Sequence, residues 1–147
     1  MRFHHEATNL VTYGSIDDLW TDDLGTHYVI DYKVTAKNGE VGLDAEWQIG
    51  YKRQVEFYQW LLRAKGLTVS DQAWFVYANG IKSRPAFDDK LHFATSLIPY
   101  KGNSDWVEPT LKNIVSVLNG GLPPVANPLC KVCDFVVRVK TYRQVET

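Results

Sequence analysis

The chain is short of several things, and each shortage removes a class of protein. Of its 147 residues only two are cysteines, three positions apart, too few for a disulfide framework. It has no apolar run long enough to span a bilayer and no signal-peptide pattern, which points to a cytoplasmic protein with no membrane partner. It has no internal repeat and no low-complexity segment. It also lacks a surplus of either charge. The net charge of −1 provides no broad basic field and counts against avid, non-specific binding to DNA. What remains is an ordinary globular composition, 45% apolar and 22% charged, in a chain sized for one domain spanning 1–147.

The charge is unevenly spread. Residues 1–45 hold eight acids and three bases, whereas residues 46–147 hold nine acids and thirteen bases. The acidic part contains the most informative stretch, Gly14-Ser-Ile-Asp17 and then Tyr28-Val-Ile-Asp31-Tyr32-Lys33. It reads as a hairpin of strands 14–20 and 27–33. Asp23-Leu24-Gly25 lies between Asp22 and Thr26, with Gly25 suited to the left-handed position of a three-residue loop. That turn sets a register in which paired residues sum to 48, placing Asp17 opposite Asp31. Cross-strand partners, and residues two apart, share a face, so Asp17, Asp31 and Lys33 converge. A slip of one residue would put Asp18 in place of Asp17.

Two carboxylates facing each other repel. A bound cation, the Lys33 ammonium or a raised carboxyl pKa would offset that. Hard oxygen donors favour Mg2+ or Mn2+ over zinc, and a carboxylate-held divalent ion beside a lysine suits phosphodiester hydrolysis. The bland alternative is a solvent-facing hairpin with a satisfied Asp–Lys pair.

Around the hairpin, residues 2–12 read as a strand and 34–43 as a loop. Residues 44–65 read as the main helix, capped by Asp44 and stopped at Gly66. Its stripe is Trp47, Tyr51, Gln54, Val55, Tyr58, Leu61 and Leu62, with Gln54 in need of a hydrogen-bond partner. Residues 72–79 form a buried strand, 81–89 a connector with Pro85, and 90–99 a further strand. Residues 105–118 form a second helix capped by Asp105 with Glu108 at the capping-box position. A proline-rich stretch, 122–128, leads to Cys130-Lys-Val-Cys133 and a basic tail with Arg138, Lys140 and Arg143. The fold class is α/β, a central mixed sheet of about five strands flanked by helices.

Gly14-x-x-Asp17, then Asp31-x-Lys33, then a helix with Gln54-x-x-x-Tyr58, in that order, resembles the PD-(D/E)XK nuclease superfamily, in particular its RecB-like branch. The resemblance implies a restriction-endonuclease-like core and a metal-dependent nuclease acting on nucleic acid, with DNA favoured. Asp17 and Asp31 would bind metal with the Tyr32 carbonyl. Lys33 would be the catalytic lysine, and Gln54 and Tyr58 would line the site or contact nucleic acid. The family usually places a helix with a Glu or His before the first strand, and no such helix fits here; His4, His5 and Glu6 read as strand. A preceding segment or a second subunit would then complete the site. Otherwise the chain is a nucleic-acid-binding module of nuclease ancestry without activity. Some RecB-like nucleases hold a cluster with one upstream and three C-terminal cysteines. Cys130 and Cys133 are part of such a set, able to hold an iron–sulfur cluster or Zn2+ only with ligands from outside this chain.

Overall fold

A computed structural model describes residues 1–83 and 89–145, with side chains described as far as 140. The centre of the expected connector, 84–88, and the Arg143 side chain lie outside the described residues. Two compact units are present, Met1–Lys112 and Asn113–Thr147.

The first unit holds β1 (Arg2–His5), β2 (Leu10–Tyr13), β3 (Asp18–Thr21), β4 (His27–Thr35), α1 (Ile49–Ala64), β5 (Gln72–Gly80) and β6 (Phe93–Lys101). It also holds the start of α2 (Val107–Asn119). Strands β3-β4-β5-β6 form a four-stranded sheet in that order. β4 and β5 are parallel, joined over one face by α1, and the other pairs are antiparallel, so the sheet is mixed. This is the α/β core the sequence implies, with four strands in the main sheet rather than about five.

The remaining strands form a separate sheet. Residues 2–12 are not one strand but the β1–β2 hairpin. Its turn closes through Thr8 N–H to His5 C=O and Asn9 N–H to Glu6 C=O. Asn9 takes φ 53°, a conformation asparagine accepts more readily than most residues. Phe3 and Leu10 of this hairpin pack on Trp60, Leu61, Val107 and Leu111.

The β3–β4 hairpin closes as its sequence dictates. Gly25 sits at φ 79°, and Asp22 Oδ1 accepts the N–H groups of Leu24 and Thr26. The register is Asp18↔Ile30 and Leu19↔Val29, the expected one. β3 begins at Asp18, so Gly14 to Asp17 lead into the strand without being part of it.

α1 starts later than Asp44. A short 3-10 turn, Glu46–Gln48, comes first, and the Gln48 amide oxygen takes the Ala45 N–H at 2.9 Å. The side-chain cap expected of Asp44 is not made. The helix ends at Gly66, φ 86°, with Leu67 N–H returning to Leu62 C=O. Val55 and Leu62 face the sheet and join Val29, Ala73, Phe75 and Tyr77 in the main core. Val29, Val55, Leu62 and Phe75 each contribute roughly 1.5–3 kcal/mol by burial. β5 alternates, burying Ala73, Phe75 and Tyr77 beneath α1 and leaving its other face half-buried. It is therefore not covered on both faces as its apolar run suggests.

Glu56 and Glu108 tie the unit together. Glu56, buried on α1, accepts from the Tyr100 hydroxyl, the Asn103 N–H and Trp106 Nε1. Glu108 is not spent on a capping box; it accepts from Trp60 Nε1 at 3.0 Å and pairs with His5 Nε2 at 2.9 Å. In the second unit, α3 (Lys131–Val145) carries the basic tail. Among the described residues no helix is long and apolar enough to cross a membrane.

Candidate active site

The site is built where the β3–β4 ladder runs out. Above Asp18 the strands no longer pair, and Asp17 Oδ2 takes the Tyr32 N–H at 3.0 Å. Asp31 lies on the face of β4 that packs beneath α1, two residues after the buried Val29 and two before Lys33. Its side chain is 1% exposed. Lys33 Nζ contacts Asp31 Oδ2 as an ion pair, and Asp31 Oδ1 is shielded from solvent without a hydrogen-bond partner. Burial pushes the Asp31 carboxyl above its ordinary range, the Lys33 ammonium pulls it down, and the Asp17 charge raises it again.

Asp18, the residue a one-residue slip would bring in, is engaged elsewhere. It sits on the opposite side of the hairpin, accepting from the Tyr32 hydroxyl at 2.8 Å, Leu19 N–H at 2.8 Å and Trp20 Nε1 at 3.2 Å. The Tyr32 hydroxyl first, then the Leu19 amide, hold its carboxyl below the usual range. The neighbouring aspartates thus differ in their partners: Asp18 accepts from two side chains and its neighbour's amide, and Asp17 accepts from the β4 backbone.

Lys33 is held from the helix side. Its Nζ lies 4.3 Å from the centre of the Tyr51 ring, and Tyr77, its register partner on β5, shares its face. The Tyr77 hydroxyl accepts from Gln48 Nε2 at 3.0 Å. Sequence reading did not single out Gln48, Tyr51 and Tyr77 as surroundings of the lysine. Tyr51 was visible only as a stripe position, and Tyr77 becomes a neighbour only through the parallel β4–β5 pairing.

Further along α1, Gln54 Nε2 donates to the Tyr58 hydroxyl at 3.1 Å, the partner this half-buried amide requires. Both residues line an open hollow of about 590 Å3 with Gly14, Ser15 and Arg2. Gly14 explains itself here. A Cβ at this position would lie 2.6 Å from Tyr58 Cε1, so the glycine lets the lead-in to Asp17 pass against the ring. The stripe itself is narrower than expected, because Trp47 is 67% exposed.

Cys130 and Cys133 are free thiols at the start of α3, with Cys133 N–H directed at Cys130 Sγ at 3.4 Å. The Cys133 amide and thiol lower the Cys130 pKa. Among the described residues there is no group of three or more His, Cys, Asp or Glu that could hold a metal ion. His4 and His5 are engaged in their own hairpin, with Asn9 and Thr8 respectively.

A family model described as the PD-(D/E)XK nuclease superfamily matches residues 3–138. The chain belongs to the PD-(D/E)XK nuclease superfamily. Membership points to a nuclease, and hence to a nucleic-acid substrate; nucleases of this superfamily generally use divalent metals. No curated protein matches the chain, and neither does any solved structure.

Proposed function

We propose that this chain is a Mg2+- or Mn2+-dependent nuclease of the RecB-like branch, hydrolysing phosphodiester bonds, by preference in DNA. The observation that carries the reading is the buried Asp31 carboxylate, with one unpartnered oxygen, beside Asp17 and in contact with Lys33. A buried charge with an empty acceptor is costly unless a cation comes to it. Two carboxylates fit Mg2+ or Mn2+, ions that commonly take one or two protein carboxylates and fill the rest of their shell with water and phosphate oxygens. The Tyr32 carbonyl suits a third donor. In an extended strand a residue's C=O leaves on the same edge as its N–H, and the Tyr32 N–H already meets Asp17.

When bound, the ion lowers the pKa of a water and neutralises charge developing on the phosphate. Asp31 and Asp17 would hold it. Lys33 leaves Asp31 for the scissile phosphate or the attacking water, where its ammonium offsets negative charge in the transition state. The Tyr51 ring keeps the lysine over the site during that exchange. Gln54 and Tyr58 position the strand along the hollow beside Gly14. The two free thiols suit a reducing, cytoplasmic setting, and a cluster at Cys130 and Cys133 would need ligands from outside the chain.

A second reading has its own observation: no third acid joins Asp17 and Asp31 among the described residues. On that reading the chain binds nucleic acid without cutting it, or a preceding segment or second subunit supplies the missing ligand. Cleavage of labelled DNA in Mn2+, Mg2+ and EDTA separates the readings. The nuclease reading expects metal-dependent cutting that Asp31→Asn and Lys33→Met both abolish. Metal-independent binding without cutting would support the second.

A further inference from the structure

Lys33 also borders a second cavity, of about 250 Å3, lined by Lys37, Trp47, Gln48, Tyr51 and Tyr77 among others. We infer that this cavity is a base-stacking subsite, with Trp47 as its platform, and that it selects an unpaired strand over a duplex. The inference rests on the nuclease reading for its location and deepens it by naming the substrate class.

Trp47 is unusual for a tryptophan in this chain. It is 67% exposed, whereas Trp60 is buried in the core. Its indole meets Tyr51 edge to face at 5.4 Å, and Tyr51 in turn carries the Lys33 ammonium. The turn that presents it is locked by polar bonds. Buried Gln48 donates to Gly42 C=O at 2.6 Å and to the Tyr77 hydroxyl, and accepts from Ala45 N–H. Such a scaffold fixes an aromatic face in water at little gain to folding. A ring fixed beforehand loses little entropy when a flat group stacks on it.

The neighbouring loop is fixed in the same way. Asn79 accepts from Lys37 N–H at 3.0 Å and donates to Lys37 C=O at 3.1 Å. Lys37 borders both this cavity and the next hollow, which also contains Lys82. Lys33, Lys37 and Lys82 therefore follow one another along this edge, as a phosphate backbone would require, with the aromatic face beside them. The cavity is smaller than the roughly 300–1,000 Å3 of typical small-molecule sites, a size for one base rather than a bound cofactor. In a duplex both base faces are already stacked; only an unpaired base can offer one to Trp47.

The test is fluorescence anisotropy of a labelled 12-nucleotide single strand and its duplex, without divalent metal, against the unaltered chain, Trp47→Ala, Trp47→Phe and Lys37→Ala. Stacking on an aromatic is worth roughly 1–3 kcal/mol per base. Trp47→Ala is therefore expected to weaken single-strand binding at least about 5-fold and to leave duplex binding unchanged, with Trp47→Phe retaining most of the affinity. Lys37→Ala should flatten the salt dependence of single-strand binding by about 0.7 in log–log slope. Equal single-strand affinity in Trp47→Ala, or equal losses on both substrates, would overturn the inference. Melting curves check that each variant folds. Cleavage that depends on Asp31 but binding indifferent to Trp47 would remove the subsite and keep the nuclease. Binding that depends on Trp47 without cleavage in any metal would do the reverse.

Discussion

Gly14 should not tolerate even a methyl group, and the cost can be worked from the contact it makes. In Gly14→Ala the new Cβ would stand 2.6 Å from Tyr58 Cε1, 3.0 Å from Cδ1 and 3.5 Å from Leu61 Cδ2. Carbon pairs rest at about 3.5–4.0 Å, so the ring or the strand lead-in has to retreat by about 1 Å. Gly14 is not among the glycines with positive φ, so alanine suits its backbone and would by itself stabilise the chain by about 0.4–1 kcal/mol. Overpacking costs about 1–3 kcal/mol. Taking the middle of each range, about 2 less about 0.7, the net expectation is a loss of about 1.3 kcal/mol, seen as a fall of about 3–5 °C in the thermal midpoint. If Tyr58 gives way, its bond from Gln54 is lost; if the lead-in gives way, Asp17 moves. Thermal unfolding of Gly14→Ala, Tyr58→Ala and the double variant forms a cycle that isolates the clash. The double variant should be more stable than the two single losses sum to, by about 1 kcal/mol or more. A Gly14→Ala chain as stable as the original, or a cycle that adds without coupling, would refute the reasoning.

Other consequences are equally direct. Asp31 has a folded pKa above its ordinary 3.8, so its contribution to stability is present below that value and is lost as the pH rises through the folded pKa. Asp31→Asn removes this loss, and its melting temperature should gain on that of the unaltered chain as pH rises from about 4 toward neutrality; the opposite trend would contradict the assignment. Glu56→Ala strands three donors, on Tyr100, Asn103 and Trp106, and should cost about 3 kcal/mol or more, with a red shift in tryptophan emission as Trp106 loses its partner. Lys33→Met should lower metal-dependent cleavage by at least about 100-fold while leaving metal binding in place, measured by cleavage rate beside calorimetry.

The parts of this molecule that follow local rules were legible in the chain. Asp22, Leu24 and Gly25 specify the loop, and the loop specifies the register as far as Asp18↔Ile30; Asp17, just before the strand, accepts from the Tyr32 N–H next to Asp31. Gly66 ends α1 because its left-handed angle can be read from residue type and position. What was not legible depends on long-range contacts. Asp44 looks like a helix cap, but the Gln48 side chain reaches back first. Trp47 falls on the apolar stripe of α1 by spacing, yet the stripe outruns the sheet that would cover it. Asp105 and Glu108 spell a capping box, but Trp60 and His5 draw Glu108 away. Residues 2–12 have the composition of one strand, and the turn back, with Asn9 at φ 53°, shows only in the structure. Around the site, Asp31 and Lys33 lie on one strand of a hairpin and Asp17 directly precedes the other, so the three could be read together. Gln48, Tyr51 and Tyr77 gather round Lys33 only after α1 crosses from β4 to a parallel β5.

Titration calorimetry with Mn2+ decides whether Asp31 is a metal-binding carboxylate. The unaltered chain and Asp18→Asn, whose carboxylate is already occupied by Tyr32, Leu19 and Trp20, should both bind the ion. Asp31→Asn should bind none over the same range. Binding undiminished in Asp31→Asn, or no binding in the unaltered chain, would contradict the account.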